Sequence, residues 1–108
     1  MSNPVEMTVQ EVDALLKGPN PPRVVDVRQP AEWELVRMKD GVLLSQELLE
    51  EMMESWDKDE PLVLYCHHGI RSMQAAMYFA QQGFNKVITM RGGINAWARE
   101  IDTSLPVY

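Results

Sequence analysis

An α/β fold, with a parallel sheet carrying helices on both faces, is the class predicted by the order of patterns along this 108-residue chain. Short apolar, β-branched runs alternate with segments whose apolar residues recur at helical spacing, and this alternation continues over the whole length. The runs read as buried strands rather than as strands with one wet face. With 45% hydrophobic and 24% charged residues the chain is globular in composition, and a chain this long is expected to form one domain, residues 1–108, that buries roughly two-thirds of its unfolded surface.

The elements follow in order. Thr8 and Glu11 form a capping-box signature, and Val9, Val12, Leu15 and Leu16 then recur at helical spacing until Gly18-Pro19 stops them. Arg23 to Val27, with three valines, reads as a buried strand. Pro30 suits a first helical turn, which predicts a short helix over Ala31 to Val36. Val42-Leu43-Leu44 reads as a short strand, and Ser45 caps a helix with Leu48, Leu49, Met52, Met53 and Trp56 on one side and mostly glutamates on the other. That acidic stripe is expected to be a solvated face.

Leu62 to Tyr65 reads as a buried strand, Ser72 to Gln82 as a helix ended by Gly83, Lys86 to Met90 as a strand, and Ile94 to Arg99 as a helix after Gly92-Gly93. Met73, Ala76, Met77 and Ala80 are expected to form the apolar side of the helix from Ser72, with the methionines filling gaps in the core. The tail from Asp102 to Tyr108 has no periodicity.

Cys66 is the only cysteine. It ends a strand and opens the loop His67-His68-Gly69-Ile70-Arg71, with Ser72 starting a helix. Free amides and the positive end of a helix dipole favour a thiolate at such a place. A lone cysteine is also commonly an inert core residue, but an inert one needs no glycine, paired imidazoles and arginine beside it. In open α/β sheets ligands bind beyond the carboxyl ends of the strands, which is where this loop falls.

Charge and composition exclude several classes. The net charge of −6 with no basic run argues against a nucleic-acid surface. One cysteine precludes an internal disulfide, and two adjacent histidines leave a structural zinc site without enough ligands, so neither metal nor other cofactor is expected. The chain has no apolar run of membrane-spanning length, and its first residues lack a signal peptide's basic head and apolar core. A cytoplasmic location, no membrane association and a monomeric state are the expectations.

Three motifs in order carry a likeness to a known family: Val25-Asp26-Val27-Arg28 with Glu32-Trp33, the loop from Cys66 to Ser72, and Gly92-Gly93-Ile94-Asn95-Ala96-Trp97. The chain resembles the single-domain rhodaneses, or rhodanese-like sulfurtransferases, across nearly its whole length. It departs from them at Val36-Arg37-Met38-Lys39-Asp40-Gly41-Val42, where the family's Gly-His-Ile-x-Gly-Ala keeps only its later glycine. The ending Ala96-Trp97 through Asp102, Pro106 and Tyr108 also looks like rhodanese domains fused to enzymes that activate sulfur-carrier proteins.

The resemblance implies a three-layer fold with a central, mostly parallel five-stranded sheet. It also implies that Cys66 takes a sulfane sulfur from a small anionic donor such as thiosulfate and passes it to a thiol, cyanide or a sulfur-acceptor protein. Like charges ~4 Å apart repel by about 4 kcal/mol at an effective dielectric near 20, roughly a thousandfold in rate if uncompensated. The backbone amides from His67 to Ser72, with Arg71 as anion clamp, are expected to offset that repulsion. On this reading Cys66 is catalytic, open to solvent and in need of no general base, while His67, His68, Gly69, Ile70, Arg71 and Ser72 bind substrate.

Gly69 lets the loop curl, and the planar fork of Arg71 suits sulfonate-like oxygens. Arg71 has a plainer reading as a surface salt bridge, and His67 and His68 as polar loop positions. Asp26 and Arg28 are expected to fix a neighbouring loop, and Trp33, Trp56 and Trp97 to serve as core or cover. Three rival functions also fit these residues. A cysteine-dependent phosphatase or arsenate reductase would have a cradle one residue longer than the four between Cys66 and Arg71. A non-catalytic binding module would not need the thiol, and a redox sensor would need an external thiol to recover.

Overall fold

The computed structural model describes residues 3–108. Its elements run β1 (Val5–Met7), α1 (Val9–Leu16), β2 (Arg23–Asp26), α2 (Pro30–Leu35), β3 (Gly41–Leu43), α3 (Gln46–Ser55), β4 (Leu62–Tyr65), α4 (Ile70–Gln81), β5 (Val87–Met90) and α5 (Gly93–Glu100). The five strands form one sheet in the order β1-β5-β4-β2-β3, and every pairing is parallel.

Period-two alternation divides the core into two layers. Val24, Val63, Tyr65, Ile88 and Met90 face α1 and α5, packing with Val12, Ile94 and Trp97. Val25, Leu62, Leu64 and Val87 face α3 and α4, packing with Met52, Ala76 and Phe79. The strands are apolar on both faces because helices cover both.

Local signals formed the expected ends. Glu11 N–H donates to Thr8 Oγ1 at 3.2 Å while Thr8 N–H donates to Glu11 Oε1 at 2.9 Å, completing the capping box of α1. Ser45 Oγ accepts from Leu48 N–H at the start of α3.

Two features add to what was expected and one expectation needs correction. Strand β1 carries no pattern of its own, since Val5 is 51% exposed and the strand exists by pairing with β5. The sheet is wholly parallel. In α4 the core side is Ser72, Ala76, Phe79 and Ala80, while Met77 is 53% exposed and Met73 half-buried. The helix starts at Ile70 rather than Ser72.

The departure at Val36 to Val42 keeps its packing. Val36 and Met38 are buried, and Met38 N–H donates to the Tyr65 hydroxyl at 3.2 Å. A Cβ on Gly41 would lie 3.0 Å from the Tyr65 ring, which explains why this later glycine stands where it does.

Strand order brings the ends of β2 and β4 together. The chain runs outward from β2 to β3 and returns across β2 to β4, so the switch point lies at the carboxyl ends of these neighbours. Asp26 pairs in register with Tyr65 there. Arg28 and Cys66 follow directly.

Candidate active site

Cys66 continues the alternation of Leu62 and Leu64, so its side chain turns toward α4. Helix α4 has twelve residues and begins after Gly69, which has no side chain to cap it. The sulfur of Cys66 takes that part. Gly69 N–H donates to Sγ at 3.1 Å and Ser72 N–H at 3.3 Å, so two amides at the positive end of α4 aim at one atom. Both amides and the positive end of the helix dipole are thus presented to that sulfur.

This geometry depends on two glycines. Gly69 has φ of +100°, a conformation that lets the loop fold back on its own sulfur and that side-chain-bearing residues rarely adopt. Gly93 lies against the loop's underside, where a Cβ would overlap the carbonyl oxygens of Cys66 and His67. Ile94 N–H donates to the Cys66 carbonyl at 2.9 Å and Asn95 N–H to that of His67 at 3.4 Å, so the start of α5 holds the loop from below. The double glycine is thus part of the thiol's support.

The thiol is not open to solvent as the sequence led one to expect. Cys66 is 1% exposed, because its side chain points beneath the first turn of α4 rather than out of the loop. The lid over it is polar. Ser72 is also buried, and its hydroxyl bonds Thr89 Oγ1 at 2.6 Å and the Gly69 carbonyl at 3.3 Å, leaving its amide on the sulfur.

Arg71 stands in the first turn of α4, where a cation opposes the helix dipole. It is not free in the loop: its two terminal nitrogens donate to the two oxygens of Glu32 at 2.8 and 2.9 Å. The plainer reading of Arg71 as a salt bridge therefore describes its resting contact. A guanidinium has five N–H groups, and this fork uses two. The side chain remains 42% exposed, so the other donors are accessible.

Hydrogen bonds from Arg71 hold the Glu32 carboxyl well below the usual carboxylate range against the cost of partial burial, with the Tyr108 hydroxyl and the Gln29 amide assisting. The Arg71 guanidinium is in turn stabilised as a cation by Glu32.

Asp26 and Arg28 are a fully buried pair. Arg28 Nη2 donates to Asp26 Oδ2 at 2.6 Å and also to the carbonyl of Val36, which fixes the chain leaving α2. Burial opposes the charge on Arg28, but the Asp26 carboxylate and the Tyr108 hydroxyl more than offset it, so its proton is held even more firmly than usual.

The loop's remaining residues divide. His67 is half-buried, with Nε2 donating to the main-chain oxygen of Tyr108 at 2.6 Å, while His68 and Ile70 are exposed. Sequence reasoning gave Glu32 and Tyr108 no role at the site. Glu32 reads locally as the capping partner of Gln29 N–H, which it also is, and nothing periodic marks Tyr108. Trp97 is core, while Trp33 and Trp56 are covers carrying Arg37 and Arg23 over their rings.

Among the described residues no group of three His, Cys, Asp or Glu side chains is placed to hold a metal ion, and no helix is long and apolar enough to cross a membrane.

A family model described as "Rhodanese-like domain" matches residues 8–100. The chain belongs to this family. Among curated relatives, it is 43% identical over 76 residues to a protein of Allochromatium vinosum named "Sulfurtransferase", covering 70% of this chain and 71% of that one. It is 36% identical over 84 residues to the thiosulfate sulfurtransferase GlpE of Vibrio cholerae, covering 78% and 76%. Among solved structures, a rhodanese-like domain protein from Staphylococcus aureus superposes with a TM-score of 0.74 at 25% identity, over 86% of this chain and 90% of that one.

Proposed function

We propose that this rhodanese-like chain is a thiosulfate-type sulfurtransferase that works through a persulfide on Cys66. The observation that carries the proposal is the pair of α4 amides on a single sulfur at the switch point of the sheet. The names of the Allochromatium and Vibrio relatives support the same chemistry.

In the proposed reaction the Cys66 thiolate attacks the outer sulfur of thiosulfate. The S–S bond of the donor breaks, sulfite leaves with the electron pair, and the enzyme keeps Cys66–S–S⁻. A nucleophile such as cyanide or a thiolate then attacks the terminal sulfur, forming thiocyanate or a new persulfide, and the Cys66 thiolate is restored. No general base is needed, since each leaving group departs as an anion.

The amides of His67, His68, Gly69, Ile70 and Ser72 and the unused N–H groups of Arg71 supply donors for the sulfite oxygens and for the displaced charge. Because Glu32 already offsets Arg71, the donor anion meets a pair rather than an isolated cation, and the amides carry more of the stabilisation than the sequence alone suggested.

A macromolecular sulfur acceptor, a cytoplasmic setting, a monomeric state and a single functional domain complete the proposal. The chain's negative charge supports the absence of nucleic-acid binding.

Intact-protein mass spectrometry after exposure to thiosulfate tests it. Wild type should gain a single sulfur atom that cyanide removes, and Cys66→Ala should gain none. Identical spectra for the two proteins would end the sulfurtransferase reading, and Cys66-dependent hydrolysis of an aryl phosphate would replace it with the phosphatase one.

A further inference from the structure

Tyr108 reaches both ends of the cysteine loop, the start directly and the far end through Glu32. At the start, its ring lies on His67 with centroids 3.9 Å apart and planes 6° from parallel, and its main-chain oxygen accepts from His67 Nε2 at 2.6 Å. The same oxygen accepts from Asn95 Nδ2 at 3.0 Å, which joins it to α5. At the far end, its hydroxyl donates to Glu32 Oε2 at 2.7 Å, and that carboxylate is what holds Arg71.

The polarity of this chain of bonds is fixed. Arg28 Nη1 donates to the Tyr108 oxygen at 2.8 Å, and a guanidinium can only donate. The single hydroxyl hydrogen is therefore committed to Glu32. Its carboxylate is then bound by Arg71, Tyr108 and the Gln29 amide, which fixes the plane of the carboxylate. The direction of the three unused N–H groups of Arg71 follows from that plane. Every contact is charge-assisted, planar or stacked, so the arrangement is directional rather than merely adhesive.

We infer that Tyr108 is a positioning residue for the cysteine loop, aligning Arg71 through Glu32 for the donor anion and pinning His67 at the loop's start; the kinetic part of this inference rests on the sulfurtransferase reading. The claim separates the two half-reactions. Loading from thiosulfate uses Arg71 for the sulfite oxygens, whereas unloading to cyanide does not.

Tyr108→Phe removes the hydroxyl's two bonds and leaves the ring on His67 and the main-chain oxygen in place. With thiosulfate and cyanide varied in turn, kcat/KM for thiosulfate should fall about tenfold, the scale of one charge-assisted hydrogen bond, and kcat/KM for cyanide should stay within about twofold. A second readout does not depend on turnover: the Arg71 Nε–Hε resonance should shift in Tyr108→Phe, and the His67 ring resonances should shift in Tyr108→Ala, where the stacking is lost. Equal loss in both half-reactions, or an Arg71 resonance unchanged in Tyr108→Phe, overturns the inference. If wild type takes up no sulfur from thiosulfate, the functional reading fails by itself, and the two resonances still decide whether Tyr108 positions the loop.

Discussion

At Gly93 a single missing Cβ keeps the cysteine loop in place. A side chain there would meet the Cys66 and His67 carbonyls and would also have to accept φ of +60°. Gly93→Ala should therefore destabilise the fold by about 2–4 kcal/mol, combining backbone strain with a steric overlap, and should lower sulfur loading in the folded fraction. Urea denaturation measures the first effect and the loading assay the second. A stable, fully active variant would show that α5 does not support the loop.

Glu32 gives a pH signature at the same scale. Its carboxyl is held well below the ordinary value of 4.5, first by Arg71 and then by Tyr108. A carboxyl lowered on folding contributes stability that is fully present above its unfolded value and is lost as pH falls through the folded one. Wild type should be more stable than Glu32→Gln by a constant margin from about pH 7 to 5, and the margin should close as the pH is taken down toward about 2. A margin that grows on acidification would contradict the assignment.

Helix α4 and the sulfur that caps it act together at the scale of elements. Its inward side is hard to read from sequence because Met73 and Met77 are as apolar as Phe79, and hydrophobicity alone does not say where a helix begins. The start depends on Gly69 and on the Cys66 sulfur three residues before it, a cap that the hydrophobic pattern does not encode. Short β1 was missed for a related reason, since three residues can pair with β5 without any buried alternation. The strands β2, β4 and β5 were legible because burial on both faces writes itself as continuous apolar sequence. Phe79→Ala, at a fully buried position against Phe84, should cost about 3–5 kcal/mol, while Met77→Ala should change stability by less than about 0.5 kcal/mol. Thermal or urea unfolding of both variants checks which side of α4 is packed, and comparable losses would place Met77 in the core.

For the whole molecule, parallel topology places Cys66 after β4 beside Arg28 after β2, and the tail closes across them. The cysteine, glycine and arginine of the loop were readable from spacing. Burial of the thiol and the partner of Arg71 were not, because both depend on contacts between residues far apart in sequence, such as Glu32 with Arg71 and His67 with Tyr108. The buried Asp26–Arg28 pair joins β2, the segment after α2 and the tail, so Arg28→Met should destabilise the whole fold by about 3–5 kcal/mol by leaving a carboxylate without its cation. A loss confined to the tail, seen as hydrogen exchange accelerated only near Tyr108, would reduce the pair to a local clamp.

Thiosulfate labelled separately at its outer and inner sulfur tests the central claim most directly. The account predicts that the outer label stays on wild-type protein, is absent from Cys66→Ala and is released by cyanide as thiocyanate, while the inner label leaves as sulfite. Outer label retained equally by Cys66→Ala, or inner label retained by wild type, would contradict it.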